Sequence, residues 1–171
     1  KAGIIKPGRP VVLYPQKNPE ATRVIEAVCL ERGAPLFKAE RLPIEVRGIT
    51  ARGASFRCDV PGIGPVDARL NLAGRHQVEN ARLSLAALSA LSGRGWSFAP
   101  DRIVRGLQDA RWPGRLDWVD DHLLLDGAHN PQAARSLSAY IDEFLPGRRI
   151  VLLTAMMRDK QPNACAEILA P

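Results

Sequence analysis

Hydrophobic positions along this chain change period several times, and each change marks an element. Val11-Val12-Leu13-Tyr14 is a short β-type run between Pro10 and Pro15. From Glu20 to Arg32 the apolar residues fall at Ala21, Val24, Ile25, Val28 and Cys29. That spacing of three and four builds one apolar stripe on a helix, and Gly33 stands where a left-handed helix stop is favoured. A strand–helix–strand unit is therefore predicted over residues 11–37. Period two then takes over, with Ile44 to Arg47, Ser55 to Val60 and Val66 to Leu72 separated by glycine and proline. Asp67-Ala68-Arg69-Leu70-Asn71-Leu72 alternates polar with apolar, as a half-buried strand does, so a small antiparallel section is predicted here.

Helical period returns from about Val78 to Leu91, rich in Ala and Leu and ended near Gly93, and again from Pro100 to Asp109. Pro100 suits a first helical turn because the missing N–H has no partner there anyway. Arg111-Trp112-Pro113-Gly114-Arg115 breaks the pattern with a turn signal, and a domain boundary is placed there. Beyond it the pattern restarts as strand, strand, helix, strand. Leu116 to Val119 and His122 to Asp126 flank a turn at Asp120-Asp121. Pro131 to Phe144 reads as a helix, and Arg149 to Thr154 as an apolar strand of the buried, parallel kind. Alternating β and α elements predict an α/β fold.

Composition narrows the class. The 171 residues are 46% hydrophobic and 25% charged, which excludes a disordered tail, a collagen-like fibre and a disulfide-stapled miniature domain. Apolar runs such as Leu123–Leu125 and Ile150–Leu153 fall far short of the roughly 18 residues that span a bilayer, so no membrane partner is expected. Lys1 to Lys6 lack the apolar stretch of a secretory signal. The net charge of +6 raises a nucleic-acid reading, but the 19 Arg and 5 Lys are scattered, and aromatics at 5% are too few for a stacking platform. Nucleic acid is accordingly not expected as a partner. Cys29, Cys58 and Cys165 are odd in number and far apart, without zinc spacing or a disulfide framework, which fits a reducing, cytoplasmic compartment. The chain opens on Lys1 and stops at Ala170-Pro171 as a helical pattern begins, so it reads as a fragment or the ordered part of something longer.

Three stretches could carry chemistry. In Leu123-Leu124-Leu125-Asp126-Gly127-Ala128-His129-Asn130-Pro131 an apolar strand ends on a carboxylate and leads, through a glycine, into a good N-cap and first-turn proline. Ligands of open α/β sheets collect at such carboxyl ends, beside helix N-termini that favour anions. Asp126 could accept hydrogen bonds from ribose hydroxyls and His129 could face phosphate or an acyl group; alternatively Asp126 only bonds local backbone. Arg115, in the Pro-Gly-Arg turn, could grip phosphate oxygens with its guanidinium fork or simply be a surface cation. Asn80, in Gly74-Arg75-His76-Gln77-Val78-Glu79-Asn80, carries the donor and acceptor that suit an adenine edge, while His76 or Gln77 could merely cap the helix. No glycine-rich phosphate loop, dinucleotide signature or nucleophile elbow occurs.

Taken together, Lys-Ala-Gly-Ile-Ile-Lys-Pro-Gly at residues 1–8, Gly-Arg-His-Gln-x-x-Asn-Ala at 74–81, Trp-Pro-Gly-Arg-Leu at 112–116 and Leu-Asp-Gly-Ala-His-Asn-Pro at 125–131 form a specific set. In this order they resemble the folylpolyglutamate synthase/dihydrofolate synthase family of the Mur ligase superfamily, over Lys1 to about Lys160. The segment Met156-Met157-Arg158-Asp159-Lys160 is similar to that family's as well. The resemblance implies the back part of a Mur-ligase-type central ATPase domain at residues 1–110. A hinge would follow at 111–115, and the start of a Rossmann-like C-terminal ligase domain at 116–171. It implies an ATP-dependent ligase that joins L-glutamate to dihydropteroate or folate through an acyl phosphate, with ATP and Mg2+ as cofactors and a monomer as the complete form. By position, Asn80, Arg115 and Asp126 would contact ATP and His129 would lie at the reacting groups. Lys1 would be the carbamylated lysine that helps place magnesium. The family's phosphate loop and other magnesium ligands fall upstream of residue 1, so the chain alone is expected to be inactive. Another Mur-type amide ligase and a non-catalytic nucleotide-binding fragment are the competing readings.

Overall fold

A computed structural model describes residues 2–170. Its first unit is parallel: β1 (Val11–Leu13) pairs with β2 (Leu36–Lys38) across α1 (Pro19–Glu31). Asn18 starts α1 by accepting a hydrogen bond from Glu20 N at 2.9 Å. Gly33, at φ +55°, ends it, and Ala34 N returns to the Cys29 carbonyl at 2.8 Å. The expected left-handed stop is therefore present. Cys29 and Ala34 close a small core with Ile5 beneath this unit.

The antiparallel section forms as predicted. β3 (Glu45–Thr50), β4 (Gly53–Val60) and β5 (Gly64–Leu70) make one meander in that order, with a register irregularity between Val46 and Gly48. Alternation does its work here. Phe56, Cys58 and Val60 of β4 and Val66, Ala68 and Leu70 of β5 are all buried on one face, while Arg57, Asp67 and Arg69 point outward. Two helices cover the buried face. α2 (Arg75–Ser92) contributes Ala81, Leu85 and Ala86, and α3 (Pro100–Asp109) packs Ile103, Val104 and Leu107. Asn71 Nδ2 donates to the Gln108 carbonyl at 2.7 Å, which ties the end of α3 to the end of β5.

After the turn at 111–115 comes a short antiparallel pair, β6 (Asp117–Trp118) and β7 (Leu124–Leu125), then α4 (Pro131–Phe144) and α5 (Pro162–Leu169). Asn130 caps α4 as predicted, accepting from Ala133 N at 2.9 Å. The expected buried strand at Arg149 to Thr154 does not form. Residues 149–157 carry no regular structure, and Val151 and Leu153 are 86% and 98% exposed. A strand exists only through its ladder, and among the described residues no strand runs beside this segment to pair with it or cover it. The fold is mixed α/β with three small sheets, rather than one continuous sheet, among the described residues.

The two sides of the turn are joined by a polar node. The Tyr140 hydroxyl donates to the Ala51 carbonyl at 2.5 Å, and Trp118 Nε1 donates to the Tyr140 oxygen at 2.9 Å and to Ala51 O at 3.2 Å. Arg52 lies over the Trp118 ring, 5.3 Å from its centroid, and pairs with Asp121 at 2.6 Å. Arg75 at the head of α2 pairs with Glu143 near the end of α4 at 2.5 Å. The β3–β4 turn thus seats on β6 and α4, over a cluster of Ala73, Leu116 and Tyr140 with Leu137 and Ile141 around it.

Candidate functional site

The turn and the head of α4 build the site together. Gly114 is at φ +71°, and Leu116, unusually for a residue with a Cβ, is at φ +45°. A left-handed leucine costs of order 1–2 kcal/mol and persists only if its surroundings hold it. Three contacts do so. Leu116 is 5% exposed, its N–H donates to Asp126 Oδ2 at 2.9 Å, and Gly127 N donates to the Gly114 carbonyl at 2.7 Å. The second Asp126 oxygen accepts from Ala128 N at 2.9 Å. Asp126 therefore fastens the turn to the loop before α4 with both oxygens, which is the local backbone bonding left open in the sequence. Each oxygen keeps a further lone pair free to accept.

Asp126, Arg115 and Leu116 line a cleft of about 280 Å³ with His76, Asn130 and the first two turns of α4. Gly74 brings His76 there. At φ +95° it begins α2 without any side-chain cap, and a Cβ on it would stand 2.8 Å from the His76 ring and 2.8 Å from Leu116 Cδ1. Only glycine fits between them. Burial pushes the His76 imidazole below its usual value, with Asp126 pulling it upward and Arg115 downward. His76 is accordingly neutral at pH 7 and can accept a hydrogen bond. The Arg115 side chain makes no hydrogen bond or ion pair among the described residues, so its five donors are available to a ligand, while its backbone N–H donates to the Trp112 carbonyl at 3.2 Å.

The other sequence-predicted residues stand further out. His129 is exposed, with Nδ1 held by the Gly127 carbonyl at 2.8 Å, and it is not on the cleft wall. That bond leaves Nε2 as the outward-facing nitrogen. Asn80 lies one turn along α2, its Nδ2 donating to Gln77 Oε1 at 2.9 Å, and it too is off that wall. Neither His76 nor Gln77 caps α2 by its side chain. Lys1 lies outside the described residues. Among them, no group of three or more His, Cys, Asp or Glu side chains comes together in a way that could hold a metal. His76, Gln132 and Ser136 were not singled out as ligand contacts from sequence. Gln132 and Ser136 are four apart on the exposed face of α4, a spacing too common on helices to mark a site.

A second cleft, of about 510 Å³, adjoins the first through Arg115 and carries Arg52, Arg69 and Arg111 as well. These arginines come from different strands and turns, so nothing local in the sequence groups them.

Residues 114–170 match the family model for the Mur ligase, glutamate ligase domain. The chain is 33% identical to the dihydrofolate synthase/folylpolyglutamate synthase of Bacillus subtilis (strain 168) over 94% of its own length and 38% of that protein's. Its fold superposes on the crystal structure of folylpolyglutamate synthase from Thermotoga maritima with a TM-score of 0.80 at 27% identity, covering 98% of this chain and 39% of that one. An FPGS–AMPPCP–folate complex superposes with a TM-score of 0.77 at 26% identity, covering 99% of this chain and 42% of the other. The chain spans about two fifths of the length of such relatives. No described helix is long and apolar enough to cross a membrane.

Proposed function

The chain belongs to the folylpolyglutamate synthase/dihydrofolate synthase family of Mur ligases, and from that premise we propose that it is part of an ATP-dependent ligase. The reaction adds L-glutamate to dihydropteroate, folate or both, small molecules met in the cytoplasm. On this reading residues 1–110 are the back part of the central ATP-binding domain, 111–115 are the hinge and 116–171 begin the ligase domain. The observation that carries it is the convergence of Arg115, Asp126 and neutral His76 at the head of α4. A guanidinium and a helix N-terminus favour phosphate oxygens, and the free lone pairs of Asp126 suit ribose hydroxyls.

In the reaction a substrate carboxylate oxygen attacks the γ-phosphorus of ATP and ADP departs, giving an acyl phosphate. The glutamate amine then attacks the acyl carbon, loses its proton and expels phosphate. Arg115 would offset charge on the phosphate oxygens, worth most where water is excluded. Asp126 would hold the nucleotide and, by clamping Leu116, the angle at which Arg115 enters. Asn80 would meet the adenine edge, and His129 would present Nε2 to the reacting groups. Magnesium is expected from the family, with Lys1 as a contributor. The described residues do not assemble a ligand set for it, and no step here depends on one.

The test is Arg115→Ala and Asp126→Ala in the full-length ligase. The Arg115 side chain makes no hydrogen bond or ion pair among the described residues, so its variant reports ligand contact without structural loss. Removing a charge-assisted contact of about 1.5–3 kcal/mol should raise the KM for ATP roughly ten- to a hundredfold. Unchanged KM and kcat in both variants would refute the assignment.

A further inference from the structure

His76 is the one side chain on the wall of the 280 Å³ cleft whose charge can change near neutral pH. The Cε1–Nδ1 edge of its ring faces Gly74, while the residue as a whole is exposed and borders the cleft. Neither ring nitrogen has a hydrogen-bond partner within the chain among the described residues. His129, by contrast, has Nδ1 held by the Gly127 carbonyl and stands off this wall. A neutral imidazole carries one N–H and one bare nitrogen, so the His76 ring can take a proton from solvent without breaking an internal bond.

The charged groups around the ring are few and mostly committed. On α2, Arg75 pairs with Glu143 of α4 at 2.5 Å, and Glu79 pairs with Arg82 at 3.2 Å. In β6, Asp117 accepts from Gly114 N at 3.1 Å. The part of α4 on the wall offers Gln132 and Ser136, which are polar but uncharged. Arg115 and Asp126 remain as the charges that act on the ring, one cation and one anion. Water lost on the Gly74 side holds the imidazole below its usual value, Asp126 pulls it up and Arg115 pushes it down. A phosphate group on Arg115 changes that sum. It neutralises the guanidinium that opposes an imidazolium, and it adds negative charge of its own beside the ring. We propose that His76 takes up a proton from solvent when a phosphate anion occupies this cleft, and then faces that anion as a second cation beside Arg115. The choice of nucleotide phosphate as the anion rests on the ligase reading above; the grouping of ring, guanidinium and carboxylate does not. No bond of the ligand changes: the proton leaves a buffer acid, binds the bare ring nitrogen, and returns to solvent when the ligand departs.

Affinity gained through the charged ring is whole below the ligand-free pKa and is lost as pH rises through the ligand-bound one. The experiment reads that linkage in the full-length ligase. ATP with Mg2+ is titrated by calorimetry, without the acceptor substrates, in buffers of low and high ionisation enthalpy. The dependence of the heat on the buffer counts protons taken up. At about pH 7 the wild type should take up roughly 0.3–0.8 proton per ATP more than His76→Gln, whose side chain cannot charge. Protons gained by ATP itself are common to both proteins and cancel. Between about pH 6 and about pH 8 the Kd of the wild type should rise about three- to tenfold more than that of the variant. A purely structural role for the ring would weaken ATP equally at every pH. In NMR of 13C-labelled histidine, the signal missing from His76→Gln should move toward the charged form when ATP is added to the wild type. Circular dichroism checks each fold, and His76→Asn repeats the test should His76→Gln not fold. Equal proton uptake and equal pH slopes in wild type and variant, with ATP affinity still dependent on Arg115, overturn this proposal alone. ATP affinity unchanged by Arg115→Ala overturns the nucleotide reading and this proposal with it.

Discussion

Tyr140→Phe isolates the node that seats the β3–β4 turn on the segment after residues 111–115. The wild-type hydroxyl donates to the Ala51 carbonyl at 2.5 Å and accepts from Trp118 Nε1 at 2.9 Å, on a residue only 4% exposed. Phenylalanine keeps the ring and its contact with Phe144 at 5.1 Å between centroids, so no cavity term enters. What is lost is the hydroxyl with its two neutral hydrogen bonds, and the Ala51 carbonyl and Trp118 Nε1 keep only their longer bond to each other at 3.2 Å. That loss should cost about 1–2 kcal/mol. Urea unfolding at pH 7, followed by tryptophan fluorescence, reads it. With a slope of about 2 kcal/mol/M, the midpoint should fall by roughly 0.5–1 M. A second signature is specific to the hydroxyl. Burial raises the Tyr140 phenol above its usual value, so the unfolded chain ionises first. The stability this group contributes is whole below the ordinary phenol pKa of about 10 and is lost as pH rises through the folded-state value. The wild type should therefore lose more stability above pH 10 than the variant. A midpoint within about 0.1 M of wild type, with the same alkaline loss, would refute the reasoning.

Two more outcomes follow from the same structure. Leu85 is fully buried between α2 and the β4–β5 face, so Leu85→Ala should cost about 3–5 kcal/mol in a thermal or urea titration. A loss below about 1 kcal/mol would mean that α2 does not pack there as described. His76 should titrate below the free-histidine range in an NMR pH series, and Arg115→Gln should move it upward, because Arg115 lowers it. The unfolded chain binds this proton first, so stability from His76 is lost as pH falls through about 6.5 toward the folded value. Titration at or above 6.5 would place the imidazole outside the cleft.

Much of the fold was legible because local pattern and tertiary demand agree. The apolar stripe of α1, its glycine stop, the alternation of β4 and β5, and the Asn130-Pro131 start of α4 each specify their conformation within a few residues. Residues 149–154 show the limit. Their apolar run predicts a strand, but strand formation depends on a neighbour that the run cannot supply. The same holds at the site. Asp126 and Arg115 stand out by their motifs, but the imidazole beside them enters through Gly74, 41 residues before Arg115, because a positive φ and a missing Cβ let α2 start against Leu116.

What the sequence determined by itself was most of the elements and the motifs of the turn at 111–115 and of the loop before α4, since these are written in short-range spacing. Tertiary structure alone decided which arginines share a cleft, that both oxygens of Asp126 clamp a strained Leu116, and that Trp118 and Tyr140 meet over Ala51. Those groupings bring together residues from 10 positions apart, for Leu116 and Asp126, to 89, for Ala51 and Tyr140. Their energies depend on distance and burial, and neither quantity exists until the chain has closed on itself.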